Sequence, residues 1–136
     1  MKDDNGIAYN KNVHKDFKKV LVVDDITYVV KSISNILRSE NYFVFTAMNG
    51  KDAISKYKNY IPDLITIDQK LPDMSGIELA KKIRKLEGGN KTKIIFISTV
   101  HSKEEITNIL NLGIDNYILK PFKKQILIDI VKDLLR

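Results

Sequence analysis

The chain is expected to fold as an α/β domain, a five-stranded parallel sheet wound on both faces by five helices. Three observations carry that expectation. Apolar runs such as Val20-Leu21-Val22-Val23 are short and do not alternate, which is how strands buried on both faces read. Segments with helical spacing of apolar residues separate these runs, so strand and helix alternate five times. That alternation calls for parallel strands joined by right-handed helical crossovers. A length of 136 residues fits one such domain with a real core.

The elements follow in order. Residues 1–17 are polar, include Gly6 and hold no period, and read as a mobile leader before a domain over 18–136. Strands are expected at Val20–Val23, Tyr42–Ala47, Leu64–Ile67, Lys93–Ile97 and Asn116–Leu119. Between them Val30, Ile33 and Leu37, flanked by Val29 and Ile36, make one helical stripe, and Ala53, Ile54 and Tyr57 a shorter one. Ser75-Gly76-Ile77-Glu78 reads as a capping box opening a helix with Ile77, Ala80 and Ile83 on its apolar side. Ser102-Lys103-Glu104-Glu105 is a second box, opening a helix expected to end at Gly113. Ile126, Ile130 and Leu134 form the expected stripe of the last helix.

Composition excludes several classes. With 43% hydrophobic and 29% charged residues the chain is that of a globular protein, not a disordered one. No apolar run approaches the ~20 residues of a membrane span, and no signal segment opens the chain, so a cytoplasmic location off the membrane is expected. Having no cysteine excludes disulfides and thiolate metal sites. The net charge of +6 does not point to nucleic acid as a direct partner. Only Arg38, Arg84 and Arg136 are arginines, and the lysines are spread along solvated helix faces rather than clustered for base or phosphate reading.

In a doubly wound sheet, ligands meet residues just beyond the carboxyl ends of the strands. Strand one delivers Asp24 and Asp25 there, strand three Asp68, strand four Ser98 and Thr99, and strand five Lys120 before Pro121. Three neighbouring carboxylates repel one another and call for a cation. A hard divalent ion with oxygen ligands, Mg²⁺ or Mn²⁺, suits them; neither His14 nor His101 stands at a strand exit expected to join them, which argues against zinc. A metal beside an aspartate suits phosphoryl transfer, with the carboxylate as nucleophile, Lys120 as a point charge for a phosphate oxygen and Ser98 as a hydrogen-bond donor. The Lys120-Pro121 bond is expected to be cis from its position at the site.

These residues are recognisable together. Val22-Val23-Asp24-Asp25, Asp68 with Leu71-Pro72-Asp73-Met74-Ser75-Gly76, Ile97-Ser98-Thr99 and Tyr117-Ile118-Leu119-Lys120-Pro121-Phe122 resemble the receiver domains of two-component response regulators, collinearly from about Lys19 to Arg136. The resemblance implies a flavodoxin-like sheet of order 2-1-3-4-5. It implies Asp68 as phosphoacceptor, Asp25 as direct metal ligand, Asp24 as a ligand through water and the Lys70 carbonyl as a backbone ligand. It also gives Ser98 the role of switch hydroxyl, Tyr117 that of switch aromatic and Lys120 that of the phosphate-facing lysine. A sensor histidine kinase or phosphotransfer protein would donate the phosphoryl group, and a downstream target protein would read it. Such a protein is not an enzyme acting on other substrates; it catalyses only its own phosphorylation and dephosphorylation. The face of the fourth helix and fifth strand would allow a dimer.

Two positions modify this expectation. Val100 cannot orient an attacking water and the long Lys70 side chain stands next to the acceptor, so the phosphate is expected to persist for hours rather than seconds. Competing readings are a receiver portion of a longer DNA-binding regulator, a haloacid-dehalogenase-type phosphatase and a flavin carrier. The phosphatase reading suffers because Asp24 and Asp25 are adjacent rather than two apart, and the flavin reading because no hydroxyl-rich loop follows Val23. Helix capping is the plain alternative for Asp24 and Asp25 and turn chemistry that for Asp68, while Asp63 and Asp73 read as turn residues.

Overall fold

The computed structural model describes residues 17–136 together with Gly6, Ala8 and Asn10, so the expected leader lies almost wholly outside the described residues. Strands β1 (Lys19–Val23), β2 (Phe43–Ala47), β3 (Leu64–Ile67), β4 (Lys93–Ser98) and β5 (Asn116–Leu119) alternate with helices α1 (Thr27–Ser39), α2 (Gly50–Tyr60), α3 (Gly76–Arg84), α4 (Lys103–Leu110) and α5 (Lys124–Leu134). All neighbouring strands pair in parallel, in the order β2-β1-β3-β4-β5. No helix among the described residues is long and apolar enough to cross a membrane.

The unbroken apolar strands are explained by the two layers they separate. Val20 and Val22 of β1 face Ile33 and Leu37 of α1 and Leu127 and Val131 of α5. Leu21 and Val23 face the other way, toward Ala53 and Tyr57 of α2, Leu79 and Ile83 of α3 and Ile109 of α4. With side chains alternating along a strand, both sets must be apolar, and the sequence run follows.

Three of the five helix starts follow the cap chemistry. The hydroxyl of Ser75 accepts from the Glu78 N–H and that of Ser102 from the Glu105 N–H, and Asn49 caps α2 at Asp52. Two helices depart from expectation. α4 ends at Leu110 because the bonds then shift from four-residue to three-residue spacing (Leu112 N–H to Ile109, Gly113 N–H to Leu110), and Gly113, at φ +76°, closes that tighter turn. In α5 the buried side chains are Leu127, Ile128 and Val131, whereas Ile126 is 48% exposed. Apolar residues at 126, 127, 128, 130, 131 and 134 wrap more than one face of that helix, so its own periodicity does not choose the side that packs.

Candidate functional site

The sheet ladder itself places the chemistry. Where each strand stops, one more backbone hydrogen bond holds the next residue in line: Asp24 N–H donates to Ala47, Asp68 N–H to Val23, and Lys120 N–H to Ser98. Asp24, Asp25, Asp68 and Lys120 therefore meet on one edge, at the ends of β1, β3 and β5. Neither Asp24 nor Asp25 caps α1, whose N-cap is Ile26 without a side-chain bond. Asp24 Oδ1 instead accepts from the Ile26 N–H at 2.9 Å, which tightens the loop after β1.

Asp24 and Asp68 are buried while Asp25 is exposed, and the three carboxylates offer oxygens that all lie within 4.8 Å of one another. Lys120 Nζ lies 2.6 Å from Asp24 Oδ2 and 3.5 Å from Asp68 Oδ2. The Lys120–Pro121 bond is cis, as expected. Burial pushes the Asp24 carboxyl above the usual carboxylate range, against the hydrogen bonds from Lys120 and Ile26 and with the Asp68 charge adding to the push. Three carboxylates against one ammonium leave an excess of negative charge. With their oxygens all within 4.8 Å, the two buried carboxylates repel by about 3.5 kcal/mol or more when both are ionised, at an effective dielectric of about 20, and the exposed Asp25 adds a solvent-screened share. An all-oxygen, partly buried, over-negative cluster fits a hard divalent cation, and these three side chains are the residues that could hold one.

Ser98 is buried at the end of β4, beside β3, and its Oγ accepts from the Val100 N–H at 3.3 Å. The Tyr117 hydroxyl donates to the Val100 carbonyl, and its ring stacks near Phe96 with centroids 6.5 Å apart. Burial raises the Tyr117 phenol pKa; the Ser98 hydroxyl opposes this, and the charges of Asp68 and Glu105 reinforce it. Ser98, Val100 and Tyr117 are thus joined through one residue, a link that the spacing of the three did not announce. Lys70 and Val100 line one recess with Thr99, His101, Ser102 and Glu105, and the backbone at Lys70 bridges that at Ser75 across the loop after β3. His101 is exposed and sits on that recess.

Some positions do more than the sequence announces. Asp73 keeps its turn role, bonded to the backbone of Asp73 and Met74 in its own loop, and its carboxylate also accepts from the N–H groups of Gly50 and Lys51 at 2.8 and 2.9 Å, so it caps α2 from a distance. Those bonds hold its pKa below the usual range. Asp63 likewise accepts from the Lys19 N–H at 2.8 Å, tying the start of β1 to the start of β3. Gly76 matters to the site because a Cβ there would lie 2.6 Å from the Asp68 carbonyl oxygen and 2.9 Å from Gln69 Cα. The signal was available: a glycine just after the cap Ser75, where propensity favours almost any other residue.

A family model, that of the response regulator receiver domain, matches residues 20–132. The chain belongs to the response regulator receiver family. Among its relatives, the receiver is 40% identical over 121 residues to a chemotaxis protein CheY of Treponema pallidum, with 87% of this chain and 83% of that protein covered. It is 35% identical to a cell cycle response regulator CtrA of Brucella ovis, where the match covers 87% of this chain and 50% of that protein. The receiver is also similar to the solved CheY-like receiver domain protein of Methanospirillum hungatei, at TM-score 0.81 and 37% identity, covering 88% and 94% of the two chains. Family and fold agree with the five-stranded order found above.

Proposed function

We propose that this receiver is a phosphorylation switch in which Asp68 accepts a phosphoryl group from a histidine of a kinase or phosphotransfer protein. The observation that carries this reading is the position of Asp68: buried at a strand exit, with Lys120 Nζ at 3.5 Å and the carboxylates of Asp24 and Asp25 beside it. An Asp68 oxygen attacks phosphorus and forms an acyl phosphate while the bond from phosphorus to the donor nitrogen breaks. The imidazole leaves with that bonding pair and takes a proton from water. Lys120 is placed to meet the charge of the new phosphoryl oxygens. A divalent cation, Mg²⁺ or Mn²⁺, held by Asp24, Asp25, Asp68 and the Lys70 carbonyl, would supply further positive charge to the transferring group.

Readout runs through Ser98. Its hydroxyl can donate to a phosphoryl oxygen, which draws on Val100 through the bond from the Val100 N–H and so on Tyr117 through the Val100 carbonyl. The receiver would in this way alter binding of a target protein while catalysing nothing but its own phosphorylation and slow dephosphorylation. A second reading, a receiver portion of a longer DNA-binding regulator, is favoured only by the half-length match to the cell cycle regulator; the stop codon of the gene decides it. The switch itself is tested by incubating wild type and Asp68→Asn with Mg²⁺ and labelled acetyl phosphate. Label should enter the wild type alone, and equal labelling would remove Asp68 from its role.

A further inference from the structure

The densest run of cations in the described chain lies at the end of α3. From Gly76 through Lys93 stand six basic residues, with only Glu78 and Glu87 as acids. Part of this is ordinary, since cations in a last turn face the carbonyl end of the helix. Arg84 also has an inward duty: its guanidinium donates to the carbonyls of Gly89 and Gly113 at 2.7 and 3.1 Å and lies 3.6 Å from Asp115. Lys81 and Lys85 have neither explanation in full. Both are exposed, and neither forms an ion pair among the described residues.

These two lysines share the lining of a cleft of about 260 Å³ with Ala80, Arg84, Leu112 and Ile114, where the end of α3 meets the connection from α4 to β5. We propose that this cleft docks an acidic protein segment, one apolar side chain of it seated against Leu112 and Ile114 and flanking carboxylates on Lys81 and Lys85. The charge is complementary to such a segment, and the apolar lining distinguishes it from a polyphosphate, which has nothing to place there. The free cations are lysines, and the one arginine, the residue suited to forked phosphate contacts, is committed inward. The cleft lies at the opposite edge of the sheet from Asp68, near the start of β5 rather than beyond its end. An occupant there leaves the carboxylate cluster open.

The test uses the full chain, isotope-labelled for amide NMR. Its probes are a blocked peptide of one leucine between paired glutamates, the same peptide with alanine for leucine, and an oligothymidylate of equal charge. Saturable shifts at α3 and residues 112–114 are expected with the leucine peptide. Affinity should drop about tenfold or more with the alanine peptide and with the Lys81→Glu/Lys85→Glu chain, whose exposed sites leave the fold intact. Absent shifts at the cleft, equal binding of the alanine peptide, or an oligonucleotide bound as tightly as the leucine peptide would each overturn the proposal.

Discussion

Replacing Lys120 by methionine should destabilise the metal-free receiver, and the distances say by how much. At an effective dielectric of about 20, the contacts at 2.6 and 3.5 Å correspond to gross attractions of about 6 and 5 kcal/mol. Most of that is offset by the cost of taking the charges out of water. Side-chain exposures of 12% for Lys120 and 2% for Asp24 put the pair in the buried regime, where losing one partner costs about 3–5 kcal/mol. Over a urea slope of about 2 kcal/mol/M, a loss of about 3 kcal/mol lowers the midpoint by about 1.5 M in EDTA at neutral pH. The sign of the pH dependence follows from Asp24. Its folded pKa is raised above the unfolded 3.8, so the Asp24 contribution to stability is most favourable below 3.8 and is lost as pH rises through the raised value. Without Lys120 that push is stronger, so the deficit of Lys120→Met should shrink on acidification, and Mg²⁺ should restore part of it by supplying the missing positive charge. A midpoint shift below about 0.5 M in EDTA, or a deficit indifferent to both pH and Mg²⁺, would refute the reasoning.

Other consequences are equally open to measurement. Gly76→Ala drives a Cβ against the Asp68 carbonyl and should cost about 1–3 kcal/mol by urea unfolding while slowing labelling at Asp68; an unchanged midpoint and rate would show the loop gives freely. Asp73 has a lowered pKa, so its contribution is present above 3.8 and lost as pH falls through the folded value. Asp73→Asn should therefore flatten the acid limb of the stability profile, and an unaltered limb counts against its capping of α2. Val100→Asn gives the recess that it shares with Lys70, next to Ser98, a group able to orient water, and should shorten the life of the phosphorylated receiver from hours toward minutes. Identical decay of the two proteins would exonerate Val100.

The sequence was most legible where an apolar strand run ends abruptly on a charge. Asp24, Asp68 and Lys120 are each the first polar group past a strand, Asp25 follows Asp24 directly, and the parallel ladder leaves them no other edge to occupy. Strand bounds came within a residue for the same reason. Legibility failed where the deciding partner is distant backbone. Asp73 is legible as turn chemistry, but not the N–H groups of Gly50 and Lys51, more than twenty positions earlier, that also come to rest against it. The Val100 carbonyl under the Tyr117 hydroxyl is a main-chain atom and leaves no trace in residue identity. In α5 too many apolar residues compete for one buried face, and only packing against β1 and β5 selects Leu127 and Val131.

The central claim is that residue 68 is where phosphorus becomes covalently attached. Treating the protein with acetyl phosphate and Mg²⁺, then with borohydride, converts an aspartyl phosphate to homoserine, which peptide mass spectrometry places by residue. Homoserine at position 68 alone, absent when the donor or the metal is omitted, is the result expected. Homoserine at another aspartate, or none under conditions that phosphorylate the protein, would contradict the account.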